Sequence, residues 1–241
     1  KTTDLMVIRD PYVILGLVIL GVLVLFSVSK MPHSKAEDVH GNIGNTFTKL
    51  FRNKTYSQGV LAQIFYVGAQ IMCWTYIYQY AEGIGIDSVK AGYYQMAAFV
   101  LFTVGRAFGT YLLRFVNAGK LLMLFALFAI GCTLGVVMIN NVVGLYCLVG
   151  VSFFMSLMFP TIYGIALGKL SEDESKIGSA GLVMAIVGGA LMPKLQGMII
   201  DIGGYAVNDV SIVGISEINL SFLLPVLCFA FIAIYGRKNH I

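Results

Sequence analysis

One stretch concentrates the side chains that can do recognition chemistry. In VLAQIFYVGAQIMCWTYIYQYAE, residues Gln63, Tyr66, Gln70, Trp74 and Tyr78 recur at intervals of three and four. That spacing places them on one face of a helix. The amides and hydroxyls supply hydrogen-bond donors and acceptors, and the rings supply flat apolar surface. A pyranose needs both, one for its hydroxyls and the other for its ring face. The same groups would also serve as hydrogen-bonding contacts between membrane helices, and the spacing by itself leaves both readings open. Trp74 and Gln70 fall near the middle of their apolar run, away from the interfacial aromatic belt, and that position favours a cavity.

A second group lies in FFMSLMFPTIYG. Pro160 frees a backbone carbonyl and is expected to bend the helix that carries it. Phe159 and Tyr163 flank the bend, one turn apart. Bent helices near the bilayer midplane border transport sites, although a proline kink can also serve packing alone. Arg106 sits in GRAFG, about two turns inside its apolar run. Its small neighbours allow close helix approach, so a structural gating role is preferred to substrate contact. GSAGLVMAIVGGALMPKLQG offers a smooth small-residue surface for helix contact. A further bend is expected at Pro193, with Lys194 snorkelling to the outer interface. No Asp or Glu lies in the middle of any apolar run, so the chain does not visibly supply the buried titratable group that proton coupling needs.

The elements that carry these residues follow from composition. Of 241 residues, 58% are apolar and 12% charged, whereas soluble domains carry about 25% charged residues. Apolar runs of about 20 residues recur, long enough to cross about 30 Å of hydrocarbon as helices. Seven spans are expected, at about residues 11–29, 56–81, 91–115, 119–139, 142–167, 177–200 and 218–235. The fold class is therefore all-α integral membrane. The alternating segments of a β-barrel are missing. The chain opens KTTDLMVIRDP, which has no signal-peptide pattern and reads as starting in the middle of something. Cys73, Cys132, Cys147 and Cys228 all fall inside apolar runs without metal-ligand spacing, and packing is their expected role.

The polar stretch at residues 30–54 separates the first span from the other six and reads as a linker. The domains are expected at 1–29 (external loop and first helix), 30–55 (cytoplasmic loop) and 56–241 (six-helix bundle). Lys30, Lys35, Lys49, Arg52, Lys54, Arg114, Lys120, Lys169, Lys176, Arg237 and Lys238 fall on one side, against Lys90, Lys1 and Arg9 on the other. The positive-inside rule makes the first side, including the C-terminus, cytoplasmic. The run Glu172–Asp173–Glu174 lies on that side and is expected to be solvated or paired with nearby lysines.

With VLAQIFYVGAQIMCWTYIYQYAE, VGRAFGTYLLRF, FFMSLMFPTIYGIALG and GSAGLVMAIVGGALMPKLQG in this order and spacing, the chain resembles the fucose–proton symporter branch of the major facilitator superfamily, which includes fucose, galactose and glucose permeases. The resemblance covers nearly the whole chain. It implies a twelve-helix carrier, of which this chain would hold the last helix of the N-terminal half and the six-helix C-terminal bundle. It implies a monosaccharide bound between the halves and carried by alternating access, with a proton as coupling ion. Trp74 matches the cavity-facing tryptophan of the family's QxxxW stretch. The residue before the mid-membrane proline is tyrosine in the fucose carrier and Phe159 here, which removes a hydroxyl that Tyr163 could replace. The coupling carboxylates would belong to the absent N-terminal half.

The expected function is uptake of a monosaccharide such as L-fucose across the inner (plasma) membrane. The substrate-binding set is Gln63, Tyr66, Gln70, Trp74, Phe159 and Tyr163, and the gating and structural set is Arg106, Pro160 and Pro193. The expected partners are the sugar, membrane lipids and the N-terminal half, without nucleic acid. No cofactor or metal is expected. A membrane sugar sensor, or a carrier of another solute on the same fold, remains as the alternative. A retinal-type receptor fits poorly, because Lys194 is near an outer end and no carboxylate faces it. A channel would need a selectivity segment or charged rings. An enzyme would need a nucleophile–base pair, metal cluster or phosphate loop, and the histidines (His33, His40, His240) all lie outside the spans.

Overall fold

The computed structural model describes residues 2–29, 43–201, 211–212 and 214–239. Most of the linker with His33 and His40, much of the connection after Asp201, and His240 lie outside these residues. The chain divides into two units, Lys1–His40 and Gly41–Ile241. The first holds α1 (Thr2–Val28), which starts earlier than the span expected from residue 11. Its apolar side chains between Tyr12 and Val28 are exposed around the helix, the pattern of a helix made for an apolar solvent.

The second unit is built from α2 (Ile43–Arg52), α3 (Lys54–Thr75), α4 (Ile77–Gly83), α5 (Ser88–Leu112), α6 (Ala118–Met138), α7 (Val142–Met155), α8 (Met158–Leu167) and α9 (Glu172–Met184). A 3-10 turn at Ala185–Val187 leads into α10 (Gly188–Ile200). A hairpin of β1 (Ser211–Ile212) and β2 (Ile215–Ser216) precedes α11 (Glu217–Ser221) and α12 (Leu223–Lys238). Among the described residues, four helical stretches are long and apolar enough to cross a membrane: Ala118–Met138, Val142–Leu167, Glu172–Ile200 and Glu217–Lys238. Lys54–Thr75 and Ile77–Gly83 pass together as a fifth span, bent by 41°. Length and apolarity thus give four or five spans, not the seven expected. α5 is long enough, but Lys90, Gln95, Arg106 and its tyrosines keep it less apolar. α1 contributes a shorter apolar helix, Tyr12–Val28.

Side-chain caps set where several helices begin. Asn53 accepts from the backbone N–H groups of Thr55 and Tyr56 and starts α3. Asp87, Asn117 and Asn141 do the same for α5, α6 and α7, each cap contributing about 1 kcal/mol. Ser171 and Glu174 form a reciprocal capping box at the start of α9, which satisfies two otherwise orphan donors. The stretch read as a linker is not all loop, because α2 occupies part of it. α2 packs on α3 and α9 and buries Leu50. The acidic run does pair with lysines: Lys49 Nζ lies 2.7 Å from Glu174, and Lys176 Nζ lies 3.7 Å from Asp173.

α3 is the axis of the bundle and packs against α8, α10 and α12. Glycines permit the closest of these approaches. A Cβ on Gly188 would overlap the carbonyl of Ile64, and one on Gly59 would sit 2.6 Å from Ala166 Cβ. The tyrosines tie helices together: Tyr56 donates to the Gly178 carbonyl (2.9 Å), Tyr76 to that of Pro193 (2.8 Å) and Tyr80 to that of Ile139. Each such bond contributes about 0.5–1.5 kcal/mol. The core between them holds Met72, Leu122, Leu145, Leu148, Phe222 and Phe229. The four cysteines are free thiols, with Cys73 and Cys228 buried.

The helix irregularities sit close to the prolines but not on them. α7 gives way to α8 at Ser156–Leu157. Pro160 has no N–H to offer the Ser156 carbonyl four residues back, so the break falls where that bond is missing. α10 continues through Pro193, and the irregular turn lies earlier, at Ala185–Val187. No break falls at Pro193 itself, and the irregularity of this span is the 3-10 turn ahead of α10. The bend between α3 and α4 has no proline or glycine to announce it.

Candidate functional site

The predicted face of α3 begins with a polar group that the fold leaves unmet. Gln63 is fully buried, and neither its Nε2 nor its Oε1 finds a hydrogen-bond partner among the described residues. An unpaired buried amide is costly, and a structural glutamine would have been satisfied during packing. One turn on, Tyr66 is also fully buried. Its ring centroid lies 6.1 Å from that of Phe159, edge to face. Phe159 in turn stacks on Tyr163 at 6.4 Å with an interplanar angle of 13°. Tyr66, Phe159 and Tyr163 thus form an aromatic row across the α3–α8 contact, with Gln63 at its α3 end.

Trp74 belongs to a separate group. It lies at the end of α3 beside the bend, not mid-helix. Its Nε1–H donates to Ser152 Oγ at 3.2 Å. Its ring meets Phe99 and Phe102 edge-on at 5.0 and 5.1 Å. The tryptophan is therefore held by α5 and α7. Gln70, half-buried, lies between the two groups on α3. Tyr78 drops out of the shared face: the 41° bend carries it onto α4, where it is exposed.

Arg106 is exposed on α5 and forms no ion pair among the described residues. Its glycine neighbours do the packing. A Cβ on Gly105 would meet the Phe153 carbonyl at 2.5 Å and Ser156 Oγ at 2.8 Å, and one on Gly109 would touch Leu157 at 3.0 Å. GRAFG thus seats α5 against α7 and leaves the guanidinium free of that contact. Lys194 is exposed on α10.

Sequence reasoning missed Phe99, Phe102 and Ser152, which hold Trp74, and the buried carbonyl oxygens of Gln79 and Gln95, which lack partners. Phe99 and Phe102 do stand three apart, but an aromatic pair in an apolar run carries no distinct signal. Gln95 in AGYYQMAAF was the readable one, because an amide inside a membrane span needs a partner.

The profile of the Major Facilitator Superfamily matches residues 8–193. An L-fucose-proton symporter of Haemophilus influenzae is 49% identical over 240 residues, which cover 99% of this chain and 54% of that protein. An L-fucose-proton symporter of Escherichia coli is 33% identical over 95% of this chain and 51% of that protein. A glucose/galactose transporter of Brucella abortus is 28% identical over 95% of this chain and 53% of that one. A crystal structure of the E. coli fucose:proton symporter superposes with a TM-score of 0.79 at 33% identity, covering 96% of this chain and 55% of that one. A crystal structure in an outward conformation gives 0.78. The chain spans about half the length of the curated relatives it matches.

Proposed function

The chain belongs to the Major Facilitator Superfamily, and from that premise we propose that it serves as the C-terminal half, with one preceding helix, of a proton-coupled monosaccharide carrier. L-fucose is the first candidate substrate. The relatives are transporters rather than enzymes, and the matched portion of the E. coli symporter is its C-terminal half. In this reading α1, α3 with α4, α5, α6, α7 with α8, α9 with α10, and α11 with α12 are the seven spans. The C-terminus faces the cytoplasm with the basic loops, and the protein is a multi-pass protein of the inner membrane.

The observation that carries the reading is the orphaned amide of Gln63 beside the Tyr66–Phe159–Tyr163 row. A sugar hydroxyl can accept from the amide nitrogen and donate to its oxygen. The rings offer the apolar surface for the pyranose face, and Gln70 and Trp74 extend the wall. Pro160 and the break before it let α7 and α8 flex, Arg106 stands where it can hold one gating state, and rocking of the two halves would alternate access to a site between them. The proton is handled by carboxylates of the other half. Phe159 in place of the fucose carrier's tyrosine leaves the choice between fucose and other hexoses to Tyr163 and to contacts from that half. Counterflow of labelled L-fucose, galactose and glucose in proteoliposomes of the full-length protein tests this. Exchange of at least one of the three is expected. Exchange of none, with another solute class carried, overturns the sugar reading.

A further inference from the structure

We propose that the corner where α11 packs on α10 is a binding site for a small cation. Glu217 is completely buried, and neither of its carboxylate oxygens has a hydrogen-bond partner among the described residues. Gln196, on α10, is equally buried. Its Nε2 donates to Ser221 Oγ at 2.9 Å, one turn beyond Glu217, while its Oε1 has no partner. The neighbouring polar groups of α11 are satisfied. Ser221 donates to the Ile218 carbonyl (2.6 Å). Asn219 donates to the Val136 carbonyl (2.8 Å) and accepts from Ser216 (2.7 Å).

The unmet demand in this corner therefore consists of acceptors alone. Two carboxylate oxygens and one amide oxygen lack a donor, and one of the groups carries a formal charge. A hydrogen-bond donor alone would satisfy the geometry but not the charge, and an uncompensated buried charge is strongly unfavourable. A proton or a sodium ion supplies both needs.

Among the described residues no cationic side chain pairs with Glu217. Of the elements packed against α11, α10 carries Lys194 and is followed by Asp201, and α4 carries Tyr80, Glu82 and the exposed Tyr78. Lys194, Asp201 and Glu82 are exposed, and the Tyr80 hydroxyl is committed to the Ile139 carbonyl. α6 brings Cys132 toward this end, with Lys120 at its far end. α12 carries Cys228, then Tyr235, Arg237 and Lys238 at its far end. β1 and β2 carry no ionisable side chain. None of these groups forms an ion pair with Glu217 among the described residues. The site lies apart from the aromatic row and does not depend on which solute is carried.

The test is thermal unfolding of the purified full-length protein. Sodium is varied against choline at constant ionic strength, and pH is varied separately, for the wild type and for Glu217→Gln, which keeps the shape and removes the charge. Because a ligand bound only to the folded state raises stability with its concentration, the midpoint is expected to rise with sodium or on acidification. The variant is expected to lose the sodium response, or to rise less on acidification than the wild type. A sodium response lost in the variant identifies sodium, and a pH response diminished in the variant without any sodium response identifies the proton. A wild type that responds to neither, or a response undiminished in Glu217→Gln, overturns the site. If Glu217→Gln does not fold, Gln196→Met removes the second acceptor and leaves the carboxylate. It should then shift the half-saturating cation concentration upward by at least about threefold, the size of one lost neutral interaction. An unchanged concentration would equally overturn the proposal.

Discussion

Replacing Gln63 with methionine separates a substrate-binding role from a packing role by the sign of its effect on stability. Methionine has nearly the same length and volume, so the α3 contacts are kept. Gln63 is fully buried with both amide atoms unpartnered among the described residues. An unsatisfied buried polar group costs about 1–3 kcal/mol. Gln63→Met should therefore stabilise the sugar-free, full-length protein by about that amount, where a structural glutamine would be lost at a cost. Binding should move the other way. Two neutral hydrogen bonds to sugar hydroxyls, at about 0.5–1.5 kcal/mol each, correspond to a loss of affinity of about 5- to 150-fold. The assays are thermal unfolding in detergent without sugar, and sugar protection or counterflow for affinity. A variant that is less stable and still carries sugar with unchanged affinity would refute the reasoning. Such a trade of stability for function is common at binding sites.

Three further outcomes follow from the packing and the charges. Gly188→Ala should destabilise the bundle by about 1–3 kcal/mol through overpacking, because its Cβ would overlap the Ile64 backbone. Gly189→Ala, which meets only the side chains of Val67 and Ile71 at 3.1 Å, should cost less in the same unfolding assay. Trp74→Phe keeps the edge contacts with Phe99 and Phe102 and drops the bond to Ser152. Sugar affinity in counterflow should fall by about 2- to 10-fold, and Trp74→Ala should fall further. The hydrogen bond from Lys49, with help from Ser171, holds the Glu174 carboxyl below the usual carboxylate range. A lowered folded-state pKa means that the stabilisation is present above about pH 4.3, the ordinary glutamate value, and is lost as the pH falls through the lowered one. Hydrogen-exchange protection of α2 should therefore fall on acidification below about pH 4 and in high salt. Protection that stays flat from neutral pH to pH 3 would contradict the pairing.

Much of the architecture is legible in the sequence because run length in an apolar solvent leaves few options. The spans expected at 119–139 and 142–167 fall within a residue of the apolar helical stretches Ala118–Met138 and Val142–Leu167. The capping asparagines, the kink ahead of Pro160 and the small-residue face of α10 against α3 are local or steric and leave a mark in residue type. What the sequence hides depends on neighbours. Trp74 shares a helical face with Gln63 and Tyr66, yet α5 and α7 capture its ring, and helical spacing cannot say which neighbour a side chain reaches. The bend at Thr75–Tyr76 has no proline, so Tyr78 looked like part of the same face. α2 is short and lies in a polar stretch where length gives no signal. Its stability comes from burying Leu50 and pairing Lys49, both contacts with residues distant in sequence. Glu217 falls just outside the span expected at 218–235, and it is the packing of α11 on α10, α6 and α4 that accompanies its burial.

The central claim, coupled movement of a monosaccharide and a proton, is tested most directly by sugar-evoked proton uptake. L-fucose, galactose or glucose is added to de-energised, weakly buffered cells expressing the full-length protein, and the external pH is followed. A transient alkalinisation with at least one of these sugars, collapsed by a protonophore, is the predicted result. Sugar entry without a pH change would contradict the coupling, and no entry of any of the three would contradict the carrier itself.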